Sequence, residues 1–268
     1  MVGPPPTDSG QTEPPLRVVV LGASNLALAL PTVISTARVL LGSPLEVLAT
    51  PGHGRSYGMS TSFLRRRMPG IVSCGLWDEL ARRPEVSTVA LITDIGNDLV
   101  YDASNDQIID WVGTCLSRLD AVGARAVMTR LPLESLRRTS PRRYWLLRKL
   151  FFPANRIPLD TMLDRAEELN RQIDALGRQG WAALVDLPGA WYGFDPIHIR
   201  RSMRTTAWRS MLMPLGSADI PPLPSSMTWR QTIYLRRLRP LECIARGQHR
   251  VHSQPAGILA DGTTVALY

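Results

Sequence analysis

Three residues of the kinds used in nucleophilic catalysis stand in two short stretches: Ser24 in "GASN", and Asp195 and His198 in "GFDPIH". A serine hydroxyl is a poor nucleophile until a base takes its proton, and a histidine does this near neutral pH. An aspartate three residues before the histidine, in the same loop, can hold the imidazole tautomer and stabilise the imidazolium. Two more stretches offer hydrogen-bond donors. "PGHGRSYG" (51–58) is glycine-rich, and "DIGND" (94–98) carries Asn97. A glycine N–H and an asparagine amide can stabilise the oxyanion formed when a carbonyl is attacked. Each residue alone has an ordinary structural use. Ser24 can cap a helix, Asn97 can close a turn, Asp94 and Asp98 can hold loops, and His198 can be a satisfied loop histidine. Only their joint placement argues for chemistry.

That placement depends on the elements between them. "RVVVLGAS" (17–24), "PLEVLAT" (44–50), "VSTVALIT" (86–93), "ARAVMTRLP" (124–132) and "WAALVDL" (181–187) read as buried strands. Helices are predicted over 25–41, 75–83, 105–123 and 159–180, the first with Pro31 tolerable only near its opening turns and the last stopped at Gly177 or Gly180. Strands apolar throughout, alternating with helices, imply a parallel sheet covered on both faces. The expected fold is therefore α/β: a flavodoxin-like three-layer α/β/α arrangement with a five-stranded parallel sheet and a small C-terminal antiparallel β extension. Ligands of such sheets bind beyond the carboxyl ends of the strands. Ser24, the glycine-rich stretch, Asn97 and the Asp195–His198 loop all follow strands, so the fold would gather them on one rim.

The order and spacing of these stretches resemble the SGNH (GDSL-like) hydrolases over roughly residues 16–212. The resemblance implies Ser24 as nucleophile, His198 as general base and Asp195 as its orienting partner. It also implies an oxyanion hole built from the Ser24 N–H, the Gly54 N–H and the Asn97 side chain, with Gly52 and Gly58 competing for the glycine role. The reaction implied is cleavage of a carboxylic ester or thioester through an acyl-enzyme, without a metal or cofactor. Two departures stand out: Ala23 replaces the usual aspartate before the serine, and Asn25 replaces leucine after it. Ala23 also leaves room for an alternative, a catalytically weak or inactive binding protein on the same fold, tethered by arginine-rich segments to an anionic surface.

Other signatures are excluded. "GHGRSYG" lacks the third glycine of a dinucleotide fingerprint, where Tyr57 stands, and follows the wrong strand. No G-x-S-x-G elbow surrounds Ser24. The cysteines, Cys74, Cys115 and Cys243, form no metal or disulfide pattern, and a reducing, cytoplasmic setting is the simplest fit. No apolar run reaches the ~18 residues of a membrane span.

The 268 residues carry a net charge of +8, unevenly spread. Residues 130–156 hold eight basic residues against Glu134, and residues 229–250 hold six against Glu242. The rest of the chain is net acidic, so it is not a general polyanion binder, and no specific nucleic-acid partner is expected. The insertion 136–156 is basic and aromatic. Tyr144, Leu147 and Phe151 share a helical face, with Trp145 and Leu146 beside it. It reads as a lid or acyl-pocket wall, as simple core packing, or as a contact with anionic lipid. As a lid, it would turn Arg142, Arg143, Arg148 and Lys149 to solvent or a head group. His53 is a further pocket candidate. Three regions are expected: a proline-rich disordered leader (1–15), the hydrolase domain (16–215), and a linker with a small β extension (216–268). Within the last, 217–226 reads as linker, 232–239 as strand, and 257–268 as a hairpin turning at Asp261-Gly262. The partner expected is a small-molecule ester; the sequence leaves its identity and the oligomeric state open.

Overall fold

The structure, a computed structural model, describes residues 15–63, 66–153, 155–216, 227–245 and 247–268. The expected leader, apart from its last residue, and the expected linker 217–226 lie outside these residues. Five strands form the heart of the molecule: β1 (Leu16–Leu21), β2 (Leu45–Ala49), β5 (Thr88–Ile92), β6 (Arg125–Thr129) and β7 (Ala183–Val185). They pair in parallel in the order β2-β1-β5-β6-β7. Between them run α1 (Ser24–Leu41), α2 (Leu76–Arg82), α3 (Asn105–Asp120), the short α4 (Leu133–Arg137), α5 (Pro141–Phe151) and α6 (Leu159–Arg178), followed after β7 by α7 (Arg204–Leu212).

The alternation of side chains along β1 builds the three layers. Val18 and Val20 pack with α1 and α7, while Val19 and Leu21 pack on the opposite face with α2, α3 and α6. All four are fully buried, and burying each such side chain stabilises the fold by about 1.5–3 kcal/mol. Helix α3 starts at a capping box formed by Ser104 and Gln107. Helix α6 ends at Arg178, and Gly180 then takes a positive φ of 84° that glycine adopts without strain.

Three local expectations are corrected. Helix α1 runs straight through Pro31, its eighth residue, so the proline lies beyond the first turn and costs the helix one backbone bond. The same helix, 18 residues at a mean hydropathy of 1.4, is long and apolar enough to cross a membrane by length and composition. Its apolar face is instead buried against β1 and α7. Most of the stretch 232–239 belongs to a helix, α8 (Trp229–Arg237), because Thr228 and Gln231 form a capping box that starts it.

The C-terminal region does more than extend the molecule. A hairpin of β10 (Gly257–Ile258) and β11 (Thr264–Leu267) forms around Asp261-Gly262, and β11 pairs in parallel with β2. The main sheet thus has seven strands, and the edge that β2 would expose is covered. A small antiparallel sheet joins β3 (Thr61–Phe63) and β4 (Arg66–Met68) to β8 (Glu242–Ala245) and β9 (Gln248–Val251). It therefore joins strands that are more than 170 residues apart in the chain.

Candidate active site

The carboxyl ends of β1, β2, β5 and β7 open onto one rim. Ser24 is the first residue of α1, 6% exposed. Its Oγ lies 2.9 Å from His198 Nε2, and His198 Nδ1 lies 2.6 Å from Asp195 Oδ2. The other Asp195 oxygen accepts the backbone N–H groups of Ile197 and His198, at 3.0 and 3.2 Å. Burial alone would push the Asp195 carboxyl up. The hydrogen bond and charge of the His198 ring, with these two amides, carry it below its ordinary value instead. Asp195 is thus held ionised beside the imidazole.

The turn around Ser24 has no carboxylate of its own at Ala23, and Asp94 supplies one from the end of β5. Asp94 Oδ2 accepts the N–H of Ala23 at 2.8 Å and of Asn25 at 3.1 Å, the residues on either side of Ser24. Its Oδ1 accepts from Asn25 Nδ2 at 2.8 Å. Asp94 does this from a left-handed backbone (φ 62°), which aspartate tolerates better than most residues. Asn25 then reaches across to the histidine loop. Its Nδ2 donates to Ile197 O at 2.8 Å and its Oδ1 accepts Ile199 N–H at 2.9 Å, the two neighbours of His198. One carboxylate and one amide therefore fix the relative position of Ser24 and His198. Asn25, which the sequence showed only as a departure from leucine, and Asp94, read as holding a loop, were the residues whose positions in the site were missed. The usable signal was a polar residue tolerant of positive φ directly after an apolar strand.

The second and third rim loops are tied together by Asp98. It is fully buried, accepts the Tyr57 N–H at 2.9 Å and is bonded to the Ser56 hydroxyl. Burial pushes its carboxyl up to about 6, against those hydrogen bonds. Arg55, also fully buried, donates to Pro69 O and to the carbonyl of Tyr268, the residue after β11, which ties that segment to this loop. Of the three glycines, Gly52 gives its N–H to Ala23 O and Gly58 to Ser56 Oγ. Gly54 has φ +63°, and a Cβ there would stand 2.7 Å from the Tyr101 hydroxyl, which donates to its carbonyl. The Asn97 amide lies 3.5 Å from Arg55 O, and Asn97 lines a cavity.

That cavity is mainly apolar. It runs from Asn97 and Asp195 under α5, walled by Leu99, Leu131, Tyr144, Leu147, Phe151 and Met162. Of the residues expected at a pocket or lid, Tyr144 and Phe151 line it. Trp145 does not: it points outward, 52% exposed, because it lies about 100° around α5 from Tyr144 and about 120° from Phe151. His53 is also outside the lining. It is exposed, packs on Phe63 at 5.5 Å, and is lowered from its ordinary value by partial desolvation, then by His198 and Arg66. The cations of α5 divide as well. Arg143 donates to Gly193 O at 2.6 Å and Arg148 to Ile157 O at 3.0 Å, which turns both inward. Only Arg142 and Lys149 are exposed. Among the described residues, no group of three or more histidine, cysteine, aspartate or glutamate side chains is placed to hold a metal ion.

Comparison with protein-family models gives no match, and comparison with curated sequences gives none either. Solved structures do match. An aryl esterase of M. smegmatis is 14% identical, with a TM-score of 0.51 over 74% of this chain and 97% of that one. A carbohydrate acetylesterase family member from Sinorhizobium meliloti is 14% identical, with a TM-score of 0.50 over 74% and 96%. The likeness is one of fold: these structures share the mainly parallel sheet flanked by helices.

Proposed function

We propose that the protein is a serine hydrolase that cleaves a carboxylic ester through an acyl-enzyme. The observation that carries this reading is the continuous chain of hydrogen bonds Ser24–His198–Asp195, at 2.9 and 2.6 Å, beside an apolar cavity. In the proposed reaction His198 Nε2 takes the Ser24 proton as Oγ attacks the ester carbonyl. The ionised Asp195 holds Nδ1–H and stabilises the imidazolium that results. The tetrahedral oxyanion is received by the Ser24 N–H, the Gly54 N–H and the Asn97 amide. Gly54 is favoured over Gly52 and Gly58 because those two donate elsewhere. His198 then gives its proton to the leaving alcohol, and the same residue activates water to release the acid.

Two further observations support the reading. Two of the similar structures carry an esterase name, the aryl esterase and the carbohydrate acetylesterase family member. The cavity wall of leucines and aromatics suits an aliphatic or aromatic acyl group better than a sugar. The alternative of a catalytically silent binding protein rested on Ala23, and the Asp94 carboxylate weakens that ground.

The test is covalent labelling by a fluorophosphonate together with turnover of a p-nitrophenyl ester. The expected result is labelling of the intact chain, and in Ser24→Ala no labelling and a kcat lower by ~10⁶, with an unchanged melting temperature. Labelling that survives in a folded Ser24→Ala protein would overturn the assignment.

A further inference from the structure

The outer face of α5 has no role in the reaction just proposed. None of the helix's residues is fully buried. Trp145, Leu146 and Leu150 are 52%, 49% and 68% exposed, and Phe194, next to Asp195, is 64% exposed. Arg143 joins these two parts, with its guanidinium 4.9 Å from the Phe194 ring and its Nη2 on Gly193 O. A contiguous exposed apolar patch of this kind marks a surface that meets something. Its charge says what. Between Glu134 and Asp160 the chain holds no acidic residue. On the outer face the Lys149 ammonium sits 5.1 Å from the Trp145 ring, and Arg142 is exposed nearby.

We propose that this face docks on an anionic lipid surface and presents the mouth of the cavity to it. Tryptophan, leucine and phenylalanine interleaved with arginine and lysine make up a helix that lies in a membrane interface. The cations meet lipid head groups while the apolar side chains enter the acyl boundary. A second copy of the chain fits less well, because a two-fold contact sets a patch against itself, and here that would oppose Arg142 and Lys149 with the same cations. The inner face of the same helix lines the cavity through Tyr144, Leu147 and Phe151. An acyl chain leaving the lipid would therefore enter beside the helix that docks. The proposal uses the ester-hydrolase reading for its purpose, but the binding does not depend on it.

The experiment is sedimentation of the full chain with vesicles of phosphatidylcholine alone and of phosphatidylcholine with about one-third phosphatidylserine. At physiological salt the mixed vesicles should bind it more tightly by roughly tenfold or more. Trp145→Ala with Leu150→Ala, and separately Arg142→Glu with Lys149→Glu, should remove most of that difference. Neither pair lines the cavity, so hydrolysis of a water-soluble ester should be unchanged. Arg236→Glu with Arg237→Glu makes the same charge change on exposed residues of α8 and should leave vesicle binding intact. Equal binding to both vesicle types would overturn the proposal, as would binding indifferent to the α5 variants. So would α5-dependent dimerisation without vesicle binding. Vesicle binding by a chain that shows no ester hydrolysis would still support the docking face and strike only the hydrolase reading.

Discussion

On the rim, Asp98 is fully buried and bonded to two residues of the neighbouring loop, and Asp94 and Asn25 make five hydrogen bonds around Ser24 and His198. Across the cavity, α5 contributes no fully buried residue and is held by a few polar hooks, such as Tyr144 to Ile157 O and Arg143 to Gly193 O. The two walls are made of different materials. Hydrogen bonds are directional and fix atoms to within fractions of an ångström, as a reacting constellation needs. Exposed apolar contacts are not directional and can adapt to what they cover. The rim should therefore govern the rate of the chemical step, and the hood should govern which ester is accepted.

The sharpest way to break this contrast is at Asn97. Asn97→Ala should lower kcat by ~10²–10³ with little change in KM, because its amide would act on charge that develops only in the transition state. A rise in KM alone would move Asn97 from the rim's chemistry to substrate binding.

Asp94→Asn comes next. Asparagine tolerates the left-handed backbone, so the turn should survive. The new NH₂, however, must oppose either the Asn25 amide or the N–H groups of Ala23 and Asn25. We expect kcat to fall by ~10–100-fold through misplacement of Ser24 against His198, with KM and fluorophosphonate accessibility largely kept. If kcat stays at the parent value, the Asp94–Asn25 network only stabilises the fold.

On the hood, Phe151→Ala should change the ratio of activities on short- and long-chain esters by a few-fold and barely shift the melting temperature. A buried core aromatic would cost about 3–5 kcal/mol on truncation; a loss of that size with a constant ratio would make α5 ordinary core packing. Trp145→Ala, on the outer face, should change neither.

The smallest effect concerns pH. The Asp98 carboxyl is raised to about 6 from an ordinary value of 3.8. The folded state therefore binds this proton more tightly than the unfolded one, and stability from this group is lost as pH rises from about 4 through about 6. Lowering the pH from 7 to 5 should restore about 1 kcal/mol. Asp195 has the opposite sign: its carboxyl is depressed, so its contribution is present above about 4 and disappears only in more acid solution. Urea unfolding at both pH values should show the gain in the parent and not in Asp98→Asn.

Much of the layout was legible in the chain. Apolar runs such as "RVVVL" and "TVALI" cannot sit in water, and strands buried on both faces imply parallel pairing between helices. Parallel pairing in turn puts the residues after each strand on one rim. That logic led to Ser24, Asn97, Asp195 and His198, and the helical period led to Tyr144 and Phe151. Two local features were not legible. Arg143 and Arg148 looked like solvent-facing cations, because a sequence does not show that a carbonyl such as Gly193 O waits unpaired nearby. The stretch "TIYLRRLR" looked like a strand, because a short mixed run fits either period until its cap is recognised.

What the sequence by itself determined was which residues follow strands and which must be buried, since both depend on local pattern and on the cost of exposing apolar surface. Only the tertiary structure decided how Ser24 and His198 are held in register. That task falls to Asp94 and Asn25, adjacent neither to each other nor to His198 in the chain, and hydrogen bonds across 69 and 172 residues leave no trace in local spacing. It likewise decided that β11 completes the sheet beside β2, because strand pairing is a contact between distant segments and a short apolar run does not name its partner.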